Sequence, residues 1–469
     1  MNLHEMGAVA LRAAMDRGAA SAAEVMAACL ARIAAVNPAL NAVVALRDTD
    51  ALMAEARAAD AVPTAARGPL HGLPMAVKDL VGVRGGRSTW GSPILADFVP
   101  DKDDMLAARL RAAGAILIGK TNTPEFGLGS HSYNPVHGVT GNPYAPDRTA
   151  GGSSGGAAAA LAARMLPLAD GSDMMGSLRN PAGWCNVYGF RPTFGRVPVD
   201  PVGDVFLHQL ATDGPMARTI EDLALLLGVL AVPDSRLPHG RPLEDFAAAL
   251  ALPAGRLRIG WLGDWGGAMP YEDGILPLCR NALADFPDAL VEDVAPPYPA
   301  AKIWDAWITL RSWAVAARLG VFHADPAKRA QLKPEAIWEI ERGLGMSAME
   351  VHRASVLRSE WNTVAAGLFE RFDLLALPTA QVWPFPKGWD WPKSIGDRAM
   401  DTYHRWMEVV VPASLLGLPT LAVPVGFGAN GLPMGVQLIG PRGADTAVLR
   451  AGQAWHQATD WPGRVPPGL

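Results

Sequence analysis

Cysteine is scarce in this 469-residue chain: Cys29, Cys185 and Cys279 are its only three, and none forms a C-x-x-C pair. Three cysteines cannot build a disulfide framework, and they suit a reducing compartment. Charge is sparse too. Lys and Arg number 41 and Asp and Glu 46, a formal net charge of −5, with nothing like the concentrated basic patch that nucleic-acid phosphates require. No run of about 18 consecutive apolar residues stands out, which argues against a membrane span. The opening MNLHEMGAVALRAAMDRG lacks a basic region followed by a purely apolar one, so it reads as an amphipathic helix and not as a targeting signal. H-E-x-x-H and clustered His/Cys spacings are missing, so no metal and no cofactor are expected. Cytoplasm is the default location that these absences leave.

What is present is apolar bulk. Half of the residues are hydrophobic, enough for a large buried core. Ser21-Ala-Ala-Glu24 has the pattern of a capping box, opening a helix that should run to Pro38. A second Ala-rich helix is expected over 49–59. LPMAVKDLVGV (73–83) reads as a buried strand ending near Lys78. MLAARLRAAG should be a helix stopped by Gly114, followed by a strand in AILIG. A loop rich in Gly, Ser, Asn and Pro (121–153) then leads to an Ala-rich helix (157–164) and a strand at MLPLAD. Such alternation predicts an α/β fold with a large mixed β-sheet core flanked by helices.

Beyond residue 230 the texture changes. Thirteen of the 15 tryptophans lie from Trp261 onward, and 300–372 reads as mostly helical. TLAVPVGF and MGVQLIG read as a returning strand pair joined at Ala-Asn-Gly. The expected organisation is essentially one domain over 1–469. Its catalytic core lies within 60–230, and 230–469 is a more helical, Trp-rich part closing over the site and returning strands to the sheet.

Two familiar patterns fit by letter and fail by context. Gly114-Ala-Ile-Leu-Ile-Gly119-Lys120-Thr121 matches a phosphate-binding loop, but its middle is a strand and Pro124 follows the lysine. Gly151-Gly152-Ser153-Ser154-Gly155 matches a nucleophile elbow, yet loop and not strand precedes it. A better reading joins three separated pieces: Lys78, Ser153, and Ser177 in ADGSDMMGSLRNPAGW. A buried lysine loses its charge readily, because desolvation disfavours the ammonium. The neutral amine can then act as a base, with a serine beside it as nucleophile or relay. The turn Asp173-Met174-Met175-Gly176-Ser177 can aim successive backbone N–H groups at one developing oxyanion. Taken alone, Lys78 would pair with Asp79 at the surface, Ser177 would cap a helix, and Ser154 would only hold a turn.

These residues carry a resemblance. GLPMAVKDL, GAILIGKTNTPEFGLGS, GGSSGG, DGSDMMGSLRNPAG, GFRPTFGRVP, GPMART and GLPTLAVPVGF…GLPMGVQLIGP together resemble the amidase signature family over most of the chain. Little of that signal lies in 230–370. The resemblance implies Ser177 as nucleophile, Ser153 as proton relay reached through a cis peptide bond, and Lys78 as base. It further implies an oxyanion hole from the backbone N–H groups of Met174, Met175, Gly176 and Ser177. Ser154, Asp173 and Arg179 are expected in support. Met175 departs from the glycine more usual in the family, and its bulk narrows or blocks the turn.

The implied activity is hydrolysis of a small-molecule carboxylic amide to an acid plus ammonia or amine. One alternative is an amidotransferase subunit that releases ammonia from glutamine for a partner chain. The other is a catalytically silent relative. His131, Tyr133, Trp383 and Trp389 are the candidate walls of the substrate pocket, with Trp391 beside them. Neither nucleic acid nor membrane is an expected partner, and a homodimer is among the open assemblies.

Overall fold

The computed structural model describes residues 2–468. Its N-terminal part opens with α1 (Ala8–Asp16) and α2 (Ala22–Leu40). The Ser21 side chain accepts from the Glu24 N–H, and Glu24 answers on the Ser21 N–H, closing the capping box read from the sequence. The helix does not stop at Pro38. It carries the proline in its last turn and ends at Asn41, which adopts φ 51°. By length and average composition α2 could cross a membrane, although Glu24, Arg32 and Asn37 interrupt its apolar residues. Its Met26, Cys29, Ile33 and Leu40 are instead packed into a buried cluster with Ile116, Ile118 and the alanines of 157–160.

The strands β1 (Val43–Val44), β2 (Pro74–Lys78) and β3 (Ile116–Thr121) form a small sheet in the order β1-β3-β2, with β2 parallel to β3. Between them lie α3 (Thr49–Asp60) and α4 (Met105–Ala112). Lys120, the lysine of the phosphate-loop pattern, sits inside β3 and gives its amine to the Val81 carbonyl. No helix begins there, as a phosphate cradle requires.

The glycine loop then feeds α5 (Gly155–Ala162), whose residues are all buried. An alanine and glycine helix of this kind can be enclosed on every side, because nothing on its surface is large or polar. β4 (Ala169–Asp173) follows, starting four residues later than MLPLAD suggests, because Arg164 turns the chain with φ 62°. The short helix α6 (Asn180–Trp184) leads to β5 (Tyr188–Arg191) and β6 (Thr212–Ala217).

The part beyond residue 230 gives five strands to the large sheet: β7 (Leu257–Trp261), β8 (Ala289–Asp293), β9 (Leu374–Pro378), β10 (Thr420–Phe427) and β11 (Pro433–Ile439). All join one eight-stranded sheet ordered β8-β7-β9-β11-β10-β5-β6-β4. Pairing is parallel among β7, β8 and β9 and antiparallel from β9 to β4, so the sheet is mixed. The helices of the later half include α7 (Ala300–His323), α8 (Pro334–Leu344) and α9 (Ala348–Arg371). They lie where the composition predicts helix.

Candidate active site

The small sheet and the large one meet at Lys78. The backbone N–H of this last residue of β2 donates to the Asp170 carboxylate on β4, at 3.1 Å to one oxygen. Its side chain is 1% exposed, so the surface pairing with Asp79 does not occur. Asp79 instead accepts the Thr89 N–H at 2.9 Å and faces His137 at 3.5 Å.

Lys78 Nζ is surrounded by hydroxyls. Ser153 Oγ lies at 2.7 Å, Ser154 Oγ at 2.8 Å and Ser172 Oγ at 3.0 Å. Ser154 thus does more than hold its turn, and Ser172 joins the cluster without having stood out in the sequence. A signal for it exists: in a strand ending at Asp173, Ser172 and Asp170 share a face. Burial pushes the Lys78 amine down to about 7, against the opposing pull of Asp170, Asp213 and Asp173.

The glycines around Ser153 answer to space and backbone angle. Gly151 adopts φ +80°, and a Cβ there would meet Asn180 Oδ1 at 2.5 Å. The Gly152–Ser153 peptide bond is cis. The Ser154 N–H donates to the Ser177 carbonyl at 3.3 Å, tying the glycine loop to the turn that follows β4.

Asp173 organises that turn. Its carboxylate accepts the Gly176 N–H at 2.9 Å and the Leu178 N–H at 3.1 Å. Arg179 meets it with two nitrogens at 3.0 Å each, and Arg191 lies at 3.1 Å. All three side chains are fully buried. Burial alone would raise this carboxyl, but the two guanidiniums outweigh it and hold the group well below the usual carboxylate range. Asp173 and Arg179 therefore act on the shape of the turn.

The same bonds bear on which of the expected oxyanion donors are free. Because the Gly176 N–H is given to Asp173, the N–H groups of the turn without an acceptor among the described residues are those of Met174, Met175 and Ser177. Gly176 is needed for its φ of +78°, and a Cβ there would stand 2.8 Å from Val410.

Ser153, Ser177 and the Met174-Met175 pair line one cavity of about 80 Å³. No hydrogen bond joins the Ser153 and Ser177 hydroxyls among the described residues; such bonds commonly tighten only when substrate is present. One wall belongs to α7, which presents Arg311, Ala314, Val315, Arg318 and Leu319 at helical spacing. Phe126, Leu128 and Met407 add apolar surface. Arg311 is neutralised by Glu339 at 2.6 Å, held by Tyr403 at 2.7 Å and directed at Met174 Sδ at 3.4 Å. Met175 is buried at the cavity's edge, with its side chain in the main apolar core. Among the described residues, no three His, Cys, Asp or Glu side chains converge as a metal site.

None of the four expected pocket residues lines this cavity. The Trp383 indole donates to the Asp273 carbonyl at 3.1 Å and its ring covers Gly428. Trp389 stacks on Phe385 and is 53% exposed. His131 bonds Thr149 at 2.7 Å and the Lys387 carbonyl at 3.1 Å. With Tyr133 and Trp391 it borders a separate, almost filled niche. His131 and Trp383 thus have backbone partners of their own, the commoner fate of such side chains.

A glutamyl-tRNA(Gln) amidotransferase subunit from Chloroflexus aurantiacus is 36% identical over 491 residues, covering 98% of each chain. Among solved structures, a bacterial aryl acylamidase of the amidase signature family superposes with a TM-score of 0.91 at 30% identity, covering all of both chains. The corresponding glutamyl-tRNA(Gln) amidotransferase subunit from Thermotoga maritima gives 0.72 at 25% identity, over 97% and 95% of the two chains. The Amidase family profile itself matches residues 24–449, a span holding every residue of the serine–lysine cluster, and the chain belongs to the amidase signature family.

Proposed function

We propose that this protein hydrolyses a small-molecule carboxylic amide through an acyl-serine intermediate. The observation that carries the reading is the convergence of a buried, charge-depressed Lys78 amine on Ser153, beside a turn with unused N–H groups that ends in Ser177.

Neutral Lys78 accepts the Ser153 proton while Ser153 accepts that of Ser177, and Ser177 Oγ attacks the amide carbon. The carbonyl oxygen gains negative charge against the N–H groups of Met174, Met175 and Ser177. As the carbon–nitrogen bond breaks, the Lys78 proton returns through Ser153 to the departing nitrogen, which leaves as ammonia or amine. Water enters, gives a proton along the same route and attacks the ester carbon. Ser177 is then reprotonated and the acid leaves.

The apolar wall built by Val315, Leu319, Phe126 and Met407 favours apolar atoms next to the reacting carbon. The closer superposition on the aryl acylamidase favours a stand-alone amidase. A second reading rests on one observation, the 36% identity to an amidotransferase component: the chain would release ammonia from glutamine for a partner. Product release from a panel of aliphatic amides, anilides and glutamine, run beside Ser177→Ala, separates the two. Turnover of anilides or simple amides that vanishes in the variant supports the hydrolase. Glutamine as the sole substrate, with a co-purifying second chain, would move the assignment to the amidotransferase.

A further inference from the structure

The cavity at Ser177 does not end where the serines are. Leu80, Ser172, Ala211 and Arg318 belong both to its wall and to that of an adjoining cavity of about 500 Å³. The first space is far smaller than the roughly 300–1,000 Å³ usual for sites that enclose a ligand. It has room for a reacting carbonyl and little else. The rest of a substrate must extend into the second space, and in doing so it passes Arg318.

The charges along that path are unequal in how they are satisfied. Arg311, one face-repeat back on α7, is consumed by Glu339 and Tyr403. The guanidinium of Arg318, an exposed residue, has no hydrogen bond, and no carboxylate lies within 4.0 Å of it, among the described residues. Most acids of the larger cavity are already engaged by backbone: Asp170 with Lys78, Asp104 with Gly82, Asp200 with Met105 and Asp204 with Leu207. Asp213 is the exception, half-buried with no hydrogen-bond donor to its carboxylate among the described residues. Burial and the neighbouring Asp170 lift its carboxyl to about 7, so it offers Arg318 an incomplete counter-charge. What remains is a guanidinium at the junction of the two cavities with its planar donor fork unspent, a geometry that matches a carboxylate.

We infer that Arg318 is a specificity-determining residue, and that the preferred substrates are amides carrying an anionic group, a carboxylate above all, at the end remote from the nucleophile. This rests on the amidase reading and narrows its substrate class. The acyl carbon meets the apolar wall, and the anionic end lies in the larger cavity against Arg318.

The test separates binding from turnover. In Ser177→Ala protein, dissociation constants are measured by calorimetry for N-phenylsuccinamate and for its uncharged counterpart N-phenylpentanamide. The carboxylate ligand is expected to bind about tenfold tighter, in the range of one charge-assisted pair. The same preference should collapse towards unity in Ser177→Ala/Arg318→Gln and survive in part in Ser177→Ala/Arg318→Lys. Equal affinities, or a preference that Arg318→Gln leaves intact, would overturn the inference. An adverse result here leaves the hydrolase reading standing, while failure of the wild type to hydrolyse any amide strikes that reading and not this binding preference.

Discussion

Lys78 Nζ and Ser153 Oγ lie 2.7 Å apart, closer than Lys78 is to either of its other hydroxyl neighbours. This pair turns a depressed amine pKa into a pH dependence. The amine must be neutral to accept a proton, and burial sets its midpoint at about 7. Below that value the ammonium form dominates, so kcat/KM should fall about tenfold per pH unit, and above it the profile should level. Lys78→Ala should cost about 10²–10⁴-fold and Ser177→Ala should abolish turnover. A flat profile between about pH 5.5 and 8.5 would show that Lys78 is not the titrating base.

Asp170 supplies a sharper version of that test. Its carboxylate stabilises the Lys78 ammonium and so raises the amine's pKa against the effect of burial. Removing that charge must lower it further. In Asp170→Asn the ascending limb should therefore move to lower pH, with the folded state retained by circular dichroism. An upward movement would mean that loss of the contact to the Lys78 N–H, 3.1 Å long, has displaced the lysine.

The serine–lysine cluster was legible because its constraints are local. Glycines flanking Ser153, the residues from Asp173 to Ser177, and a strand ending in Lys78 each leave a mark in a few consecutive letters. The helices at 49–60 and 300–323 and the strand pair β10–β11 were legible for the same reason. The pocket was not. Arg311 and Arg318 look like ordinary helix residues until α7 is laid across the turn, and the partners that occupy Arg311, Glu339 and Tyr403, come from distant segments. The tryptophans misled because abundance says nothing about direction: Trp406 stacks on Trp184, and the Trp361 indole bonds the Pro412 carbonyl at 3.0 Å. The spent N–H of Gly176 was also invisible, since only the folded turn brings Asp173 Oδ1 within 2.9 Å of it.

Gly176→Ala should damage activity more than stability. The residue holds φ +78°, and the added carbon would stand 2.8 Å from Val410 Cγ1. Left-handed backbone costs a non-glycine residue about 1–2 kcal/mol, which a protein of this size can tolerate. Relief by shifting the turn would misplace the Met175 and Ser177 N–H groups, and loss of a single oxyanion donor costs about 10²–10³-fold in kcat. Paired thermal melts and rate measurements check this. A variant with native rates would show that the turn yields without moving its donors.

Asp173→Ala should have the opposite balance. It leaves two fully buried guanidiniums, Arg179 and Arg191, without their shared carboxylate. Breaking a buried pair in this way costs about 3–5 kcal/mol. The depressed carboxyl also contributes stability that is fully present above its unfolded pKa, about 4, and is lost as pH falls through the lower folded value. Denaturant titration at about pH 7 and about pH 2.5 should show the wild type far more stable than the variant at neutral pH, with the gap shrinking at the lower pH. A variant as stable as the wild type at neutral pH would mean that Arg179, already bonded to Gln437 at 2.7 Å and the Val410 carbonyl at 3.0 Å, needs no carboxylate.

Met175 separates the space at the nucleophile from the apolar core, being buried in that core while also lining the 80 Å³ cavity. The backbone N–H that the proposed mechanism aims at the oxyanion does not depend on its side chain. Met175→Gly should therefore keep the donor and remove the wall. Truncating a buried methionine costs about 2–5 kcal/mol, and the melting temperature should fall accordingly. The space released adjoins the reacting carbon, so larger acyl groups should gain relative to small ones. The ratio of kcat/KM for benzanilide to that for acetanilide is the measurement, and it should rise in the variant. If the ratio holds while stability drops, the methionine fills the core without bounding the acyl site. The limit on substrate size would then lie with Val315 and Leu319 on α7.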